Sequence, residues 1–390
     1  MVAGTACGRV VAVLGTLGDG AEGDMGLLDG VRVLDLSRLL PGPAATAWLV
    51  GQGAQVDRVE SPGAGDFTRH IPPFVGDVGA YYAATGHGKR SLAIDLRKPG
   101  AGALIKRILP RYDVLVEGFR PGVMEAMGLG PDELLAERPG LVIARLSGFG
   151  QTGPLSQRPG HDINYMGLAG ALHGATRTDT SIPIPTVQVA DLGGALVTAA
   201  GIAAALFQRE RTGRGAVLDV SLAEAALWFF APVAVGCTAE GVDPVPGTLG
   251  LAGGLPFYGT YRCSDDRWIT VGALEAKFQQ ELWGHTGGDL GHDALTALFA
   301  SKPRDHWADV LAEACVGPVL APSELADNPH WLARGAVERI AGTTYVRPPL
   351  GVFPDSGPLP GVGEHTDAVL HDAGLSDDEL TALRAAKVIA

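Results

Sequence analysis

Cysteine, basic charge and long hydrophobic runs are all in short supply in this chain. Its four cysteines, Cys7, Cys237, Cys263 and Cys315, lie far apart and form no CxxC pair. That excludes a disulfide scaffold and a zinc site, and it sets the expectation of reduced thiols in a reducing, cytoplasmic compartment. Thirty lysines and arginines stand against 43 acidic residues, a net charge of −13. No basic stripe of the kind that holds nucleic-acid phosphates follows from such a balance, although a few local arginines would suffice for a small anionic ligand. The longest apolar stretch, Leu192 to Phe207, is shorter than the roughly 20 residues of a membrane span. It reads as a buried helix of a soluble protein. No GxGxxG follows the first strand, which counts against a dinucleotide site, and the 56 glycines show no Gly-X-Y period, which excludes collagen.

What is present is a globular balance, 46% apolar and 19% charged over 390 residues, with a length that suits two domains. Residues 1–24 contain one apolar run, Val10 to Leu17, after a single arginine. Gly-Asp-Gly follows where a signal peptide needs a small-residue cleavage site. The expectation is a flexible N-terminal extension, or an upstream start with Met25 as the true one. VRVLDL, a helix from Pro43, and AQVDRVE then make a β–α–β unit, the mark of a parallel sheet. The alternation continues through SLAIDL, GAGALIKRIL, DVLVEG, PDELLAE and LVIARLSGFG. A long helix from about Asp191 to Arg211 stops at Gly213, and Ser221 with Glu224 forms a capping box for the next. Residues 25–225, completed by 350–390, read as a large α/β domain. After a Gly- and Pro-rich crossing, residues 226–349 read as a smaller α+β domain with linkers.

Three residues are candidates for chemistry. His161, in Gly160-His161-Asp162-Ile163-Asn164-Tyr165, follows a Gly/Pro loop at a strand's carboxyl end, where open α/β sheets bind ligands. An imidazole there can act as a base near neutral pH; the plain alternative is a satisfied polar side chain. A second Gly-His-Asp, Gly291 to Asp293, leads into an amphipathic run and reads only as a helix entry. Asp191 begins the long apolar helix, so it is either an N-cap or a carboxylate held ionised by the helix end. Glu275 is a solvated loop residue unless it orients His161 as a triad acid orients its imidazole. Lys89, Arg90, Arg97 and Arg120 cluster at strand ends, and Arg in such loops suits phosphate binding.

At these residues the chain resembles the family III CoA-transferase superfamily, and within it the α-methylacyl-CoA racemases. The resemblance spans about 26 to 385 and rests on GVRVLDLSRLLPGPAAT, GKRSLAIDL, DVLVEGFRPGVMEAMGLGP, ARLSGFGQTGP, GHDINY, VADLGG, RTGRGAVLDVSLAEA, GGLPFYGTYR, VGALEAKF and GEHTDAVL, in this order. It implies two interlocked ring-like chains, with a Rossmann-like large domain that binds no nicotinamide. The acyl-CoA thioester would lie between the large domain of one subunit and the small domain of the other. By the same resemblance His161 and Asp191 are the acid/base pair and Glu275 supports the histidine. Lys89, Arg90 and Arg120 would then lie in the coenzyme A site. Three departures bear on the branch: Ser61 stands where racemases usually carry an Arg, residues 67–85 read more like the transferases, and Ala276-Lys277 replaces Pro-Gln.

Two activities compete. A racemase needs one base on each face of the α-carbon and no cofactor beyond the coenzyme A of its substrate. A CoA-transferase would use Asp191 as a nucleophile that passes through an anhydride and an aspartyl-CoA thioester. The glycine-rich segment GTLGLAGGLPFYGTY, with only the Gly253-Gly254 pair, and the histidine at 161 favour the racemase. A non-catalytic acyl-CoA-binding relic would have lost His161 or Asp191, and both are present. The apolar helices 192–207 and 222–236 lack a polar stripe, so both should be buried on all sides. That requirement calls for a second copy of the chain.

Overall fold

The computed structural model describes residues 26–173, 182–351 and 357–390; the extension expected at 1–24 lies outside them. The chain divides into two compact units. The first takes the described parts of Met1–Ser147, Ala195–Asp219 and Leu325–Ala390, and the second takes those of Gly148–Gly194 and Val220–Glu324.

A six-stranded sheet forms from β1 (Arg32–Asp35), β2 (Gln55–Glu60), β3 (Lys89–Ala93), β4 (Val114–Glu117), β5 (Val142–Ser147) and β6 (Ala216–Ser221). Their order is β3-β2-β1-β4-β5-β6. The pairs β1–β2, β1–β4, β2–β3 and β4–β5 are parallel, with Val33 opposite both Val56 and Val114. Parallel strands need crossovers. Helices α1 (Pro41–Gly51), α2 (Ala80–Gly86), α3 (Ala101–Ile108) and α4 (Pro131–Glu137) lie between successive strands. A sheet covered on both faces takes continuous apolar strands, and Val33, Leu34, Val114, Leu115, Val116 and Val142 are fully buried. The core beside α3 also receives Val369, Leu370, Leu380 and Ile389 from the end of the chain. There Ser376 and Glu379 cap the helix Asp377–Ala385 reciprocally.

The second unit contains α5 (Asp162–Leu168), the first turn of α6 (Val189–Thr212), and α7 (Leu222–Glu240). It also holds an antiparallel sheet of β7 (Tyr258–Arg262), β8 (Trp268–Gly272) and β9 (Val316–Pro318), with β8 in the centre. Helices α8 (Ala276–Thr286), α9 (His292–Ala300) and α10 (Arg304–Val310) follow. Ile269, Leu282, Phe299 and Trp307 form the centre of its core. Residues 148–194, expected with the large domain, group instead with 220–324. The reason is a second cluster in which Tyr165, Met166 and Ala169 of the α5 segment, and Ala190 of α6, pack on Leu222, Ala223 and Ala226 of α7.

Helices α6 and α7 are long and apolar enough, by length and composition, to cross a membrane. The sequence leads one to expect them covered on every side, and within this chain they are not. Leu227, Trp228 and Phe229 of α7 are 51%, 74% and 50% exposed, and Leu196 and Phe207 of α6 are exposed as well. Cys237, Cys263 and Cys315 are free thiols.

Candidate active site

After β5 the chain enters its Gly/Pro loop, which ends at His161. The ring of Tyr165, one turn into α5, packs where this loop starts and where it ends. A Cβ at Gly148 or Gly160 would lie 2.5 or 2.7 Å from that ring, so close approach is what demands glycine at both positions. The Tyr165 hydroxyl donates to the Gly160 carbonyl at 2.6 Å, and Phe149 meets the same ring edge-on at 5.1 Å. These contacts fix the peptide that leads into His161. The His161 N–H donates to Asn164 Oδ1 at 3.0 Å, and the residue itself is exposed.

Asp191 sits in the first turn of α6 and is partly buried. It is not the cap of that helix. Asp162 does that work: its Oδ1 accepts from the Ala190 N–H at 2.7 Å and from the Asp191 N–H at 3.1 Å. Burial pushes the Asp191 carboxyl up to about 6, the Asp162 charge adds to the rise, and His161 opposes it. His161, Asp162 and Asp191 thus feel one another electrostatically. Burial, with the charges of Asp191 and then Asp162, also raises the Tyr165 phenol to about 12.

Glu275 is exposed at the start of α8. Its side chain makes no capping bond, while its carbonyl accepts from the Phe278 and Gln279 amides. Among the described residues no hydrogen bond or ion pair joins it to His161 within one chain. The structure therefore brings together two of the three acid/base candidates. Sequence reasoning missed Asp162, although a cap-type residue directly after the histidine was the signal.

The four basic candidates belong to the first unit and separate into different roles. Lys89 is 5% exposed; its Nζ donates to the Pro43 carbonyl at 2.8 Å and to Thr46 Oγ1 at 2.7 Å, with Asp35 3.8 Å away. Burial lowers its ammonium to about 7 despite Asp35. Arg90 grips Asp57 with two bonds of 2.6 and 2.7 Å. Arg120 is exposed just past β4. Arg97, exposed and paired with Asp95 at 2.9 Å, lines a cavity of about 440 Å³ together with Arg38, Phe67, Asp66 and Phe119. This cavity lies past the carboxyl ends of β1, β2, β3 and β4. It includes the point between β1 and β4 where the strand order reverses, the usual ligand crevice of such sheets. Arg38, which sequence reasoning passed over, stands over the Phe119 ring at 5.5 Å.

Residues 28–366 match the family described as CoA-transferase family III. The chain is 35% identical to the α-methylacyl-CoA racemase of Homo sapiens over 393 residues, covering 93% of this chain and 97% of that protein. It is 34% identical to the acetyl-CoA:oxalate CoA-transferase of Acetobacter aceti over 340 residues, 81% of this chain and 87% of that one. The crystal structure of a CAIB/BAIF family protein from Brucella suis superimposes with a TM-score of 0.77 at 28% identity, covering 90% of this chain and 100% of that one. With this match across nearly all of its described length, the chain belongs to CoA-transferase family III.

Proposed function

We propose that this protein is an acyl-CoA racemase that inverts the α-carbon of a 2-methylacyl-CoA by two-base proton transfer. The observation that carries the reading is the Asp191 carboxyl at about 6 beside His161. A carboxyl there is available both with and without its proton near neutral pH, as a group that takes a proton in one direction and returns it in the other must be. In the forward sense one group removes the α-proton, the electron pair passes into the thioester enolate, and the other group delivers a proton to the opposite face. Each pKa unit by which base and carbon acid differ costs about 1.4 kcal/mol, so the enolate must be stabilised inside the site.

The cavity between Arg38, Arg97, Phe67 and Phe119 suits the nucleotide end of coenzyme A, with guanidinium groups for phosphate and rings for the base. On this reading Arg120 lies near the same ligand. Lys89 and Arg90 support the surrounding strands and turn through their internal bonds. No cofactor is needed beyond the coenzyme A of the substrate, and the setting is cytoplasmic. The reading also makes the enzyme an interlocked homodimer with a Rossmann-like large domain, in which Glu275 of the partner subunit supports His161. The bare apolar surface of α7 and the absence of a Glu275–His161 contact within one chain support that arrangement.

A CoA-transferase is the second reading. It is favoured by Ser61 in place of the racemases' arginine and by the relatives that carry that activity in their names. In it the Asp191 carboxylate attacks the donor thioester and expels the CoA thiolate. The thiolate then displaces the donor acid from the anhydride, and CoA passes to a second carboxylate. Incubating the enzyme with an (R)-2-methylacyl-CoA in deuterated water, with and without acceptor acids, separates the two. Deuterium entry with loss of optical purity is the expected result. Acceptor-dependent CoA transfer without exchange would replace the racemase reading with the transferase.

A further inference from the structure

Asp162 takes no part in the reaction outlined above, yet its carboxylate connects the two segments that carry the reacting groups. It is the first residue of α5, directly after His161, and its Oδ1 receives the Ala190 and Asp191 amides at 2.7 and 3.1 Å, across 28 and 29 residues of chain. Contacts across that interval hold the first turn of α6 beside the start of α5: two bonds from Asp162, and the apolar contacts of Tyr165, Met166 and Ala190 with α7.

We propose that Asp162 is a positioning residue, whose carboxylate ties the first turn of α6, and with it Asp191, to the His161 end of α5. The inference rests on the assignment of His161 and Asp191 as the reacting pair, but the tie itself is independent of which reaction they perform. Charge-assisted bonds from two backbone amides to one carboxylate oxygen are among the stronger polar contacts in a protein. They also consume two of the amides that a helix N-terminus otherwise leaves unpaired.

The same carboxylate places a negative charge beside Asp191. The other titratable groups acting there are His161 and the Tyr165 phenol, and the α7 side of the cluster is apolar. Asp162 thus has two separable effects, one carried by its oxygen as an acceptor and one by its charge. Asparagine keeps the acceptor oxygen and removes the charge; alanine removes both.

The test uses the full chain with Asp162→Ala and Asp162→Asn. It reads amide hydrogen exchange of the segment around 189–192 by mass spectrometry, and the steady-state constants across pH. In Asp162→Ala the Ala190 and Asp191 amides should exchange roughly 10-fold faster or more, the loss expected for such bonds. Its kcat should fall about 10–100-fold, by analogy with residues that orient metal ligands, while KM changes little. In Asp162→Asn the exchange should stay near wild type, and the acid limb of the pH–rate profile should move to lower pH. A merely structural residue would not produce that movement. Unchanged exchange in folded Asp162→Ala overturns the proposal, and so does an unmoved acid limb in Asp162→Asn. If Asp162→Ala does not fold, the Asp162→Asn profile decides. If the wild-type enzyme turns over neither class of substrate, the exchange rates still judge the tie, so its failure is distinct from failure of the functional reading.

Discussion

The burial of Asp191 works against the fold once its carboxyl is ionised. Its carboxyl is held near 6, above the usual carboxylate range, chiefly by burial. Between about pH 4 and 6 the folded chain therefore binds more protons than the unfolded one, and stability falls as pH rises through that window. Asp191→Asn removes the ionisable group and should be more stable than wild type by about 1–2 kcal/mol at pH 8. That figure takes about 1.4 kcal/mol per pKa unit and allows for solvent screening of a partly exposed group. The gain should vanish near pH 4, and on the proposed function racemisation should be lost at every pH. Denaturant titrations at the two pH values check the sign; a variant less stable than wild type at pH 8 would contradict it. The loop that ends at His161 and the helix start that holds Asp191 were legible in the sequence, because glycine loops and helix starts leave a local signature. The cap function suggested for Asp191 was not resolved from sequence, since the residue that performs it, Asp162, is 29 positions away.

At the scale of the elements, the β1–α1 turn shows how buried charge can organise the wall of a cavity. Asp35, fully buried at the end of β1, accepts from the Ser37 amide at 2.9 Å and the Thr46 hydroxyl at 2.6 Å. Lys89 of β3 closes the group from below by bonding Thr46 and the Pro43 carbonyl of α1. Arg38 and Leu39, the latter at φ +64°, project from the turn so held into the cavity wall. Removing one partner of a buried pair leaves the other charge uncompensated, at a cost of about 3–5 kcal/mol. Lys89→Ala should show that loss in chemical denaturation and, at temperatures where it is folded, a higher KM for acyl-CoA with a smaller change in kcat. An unaltered KM would detach the turn from ligand binding. The strand and helix in this region were readable from VRVLDL and the proline-led helix. The placement of Lys89 was not, because a strand-end lysine looks the same in sequence whether it faces solvent or a buried aspartate.

At the scale of the whole molecule, the uncovered faces of α6 and α7 set the main expectation. Exposed apolar surface at Leu196, Phe207, Leu227, Trp228 and Phe229 is the kind that marks an association site, and the interlocked homodimer of the proposed function would cover it. Threaded chains separate only by partial unfolding, so the dimer should persist on dilution to nanomolar concentration, and loss of secondary structure and loss of the dimer should coincide in one transition. Light scattering together with circular dichroism checks both. A folded, active monomer of about half the dimer mass would refute the arrangement and leave these faces unexplained. Trp228→Ser, by reducing the largest exposed side chain of α7, should lower the midpoint of that joint transition.

The sequence by itself determined the strand–helix alternation, the parallel sheet and the positions of His161 and Asp191. All are written in local pattern: continuous apolar strands, caps and glycine loops between them. Tertiary structure alone decided what each side chain faces. It buried Lys89 against Asp35 and bonded Arg90 to Asp57, while Arg38 and Arg97 were left at the cavity. It also grouped residues 148–194 with 220–324 and set Asp162 beneath the first turn of α6. These outcomes depend on contacts between residues tens of positions apart, whose energies come from burial and charge pairing in a place that no local window of sequence describes.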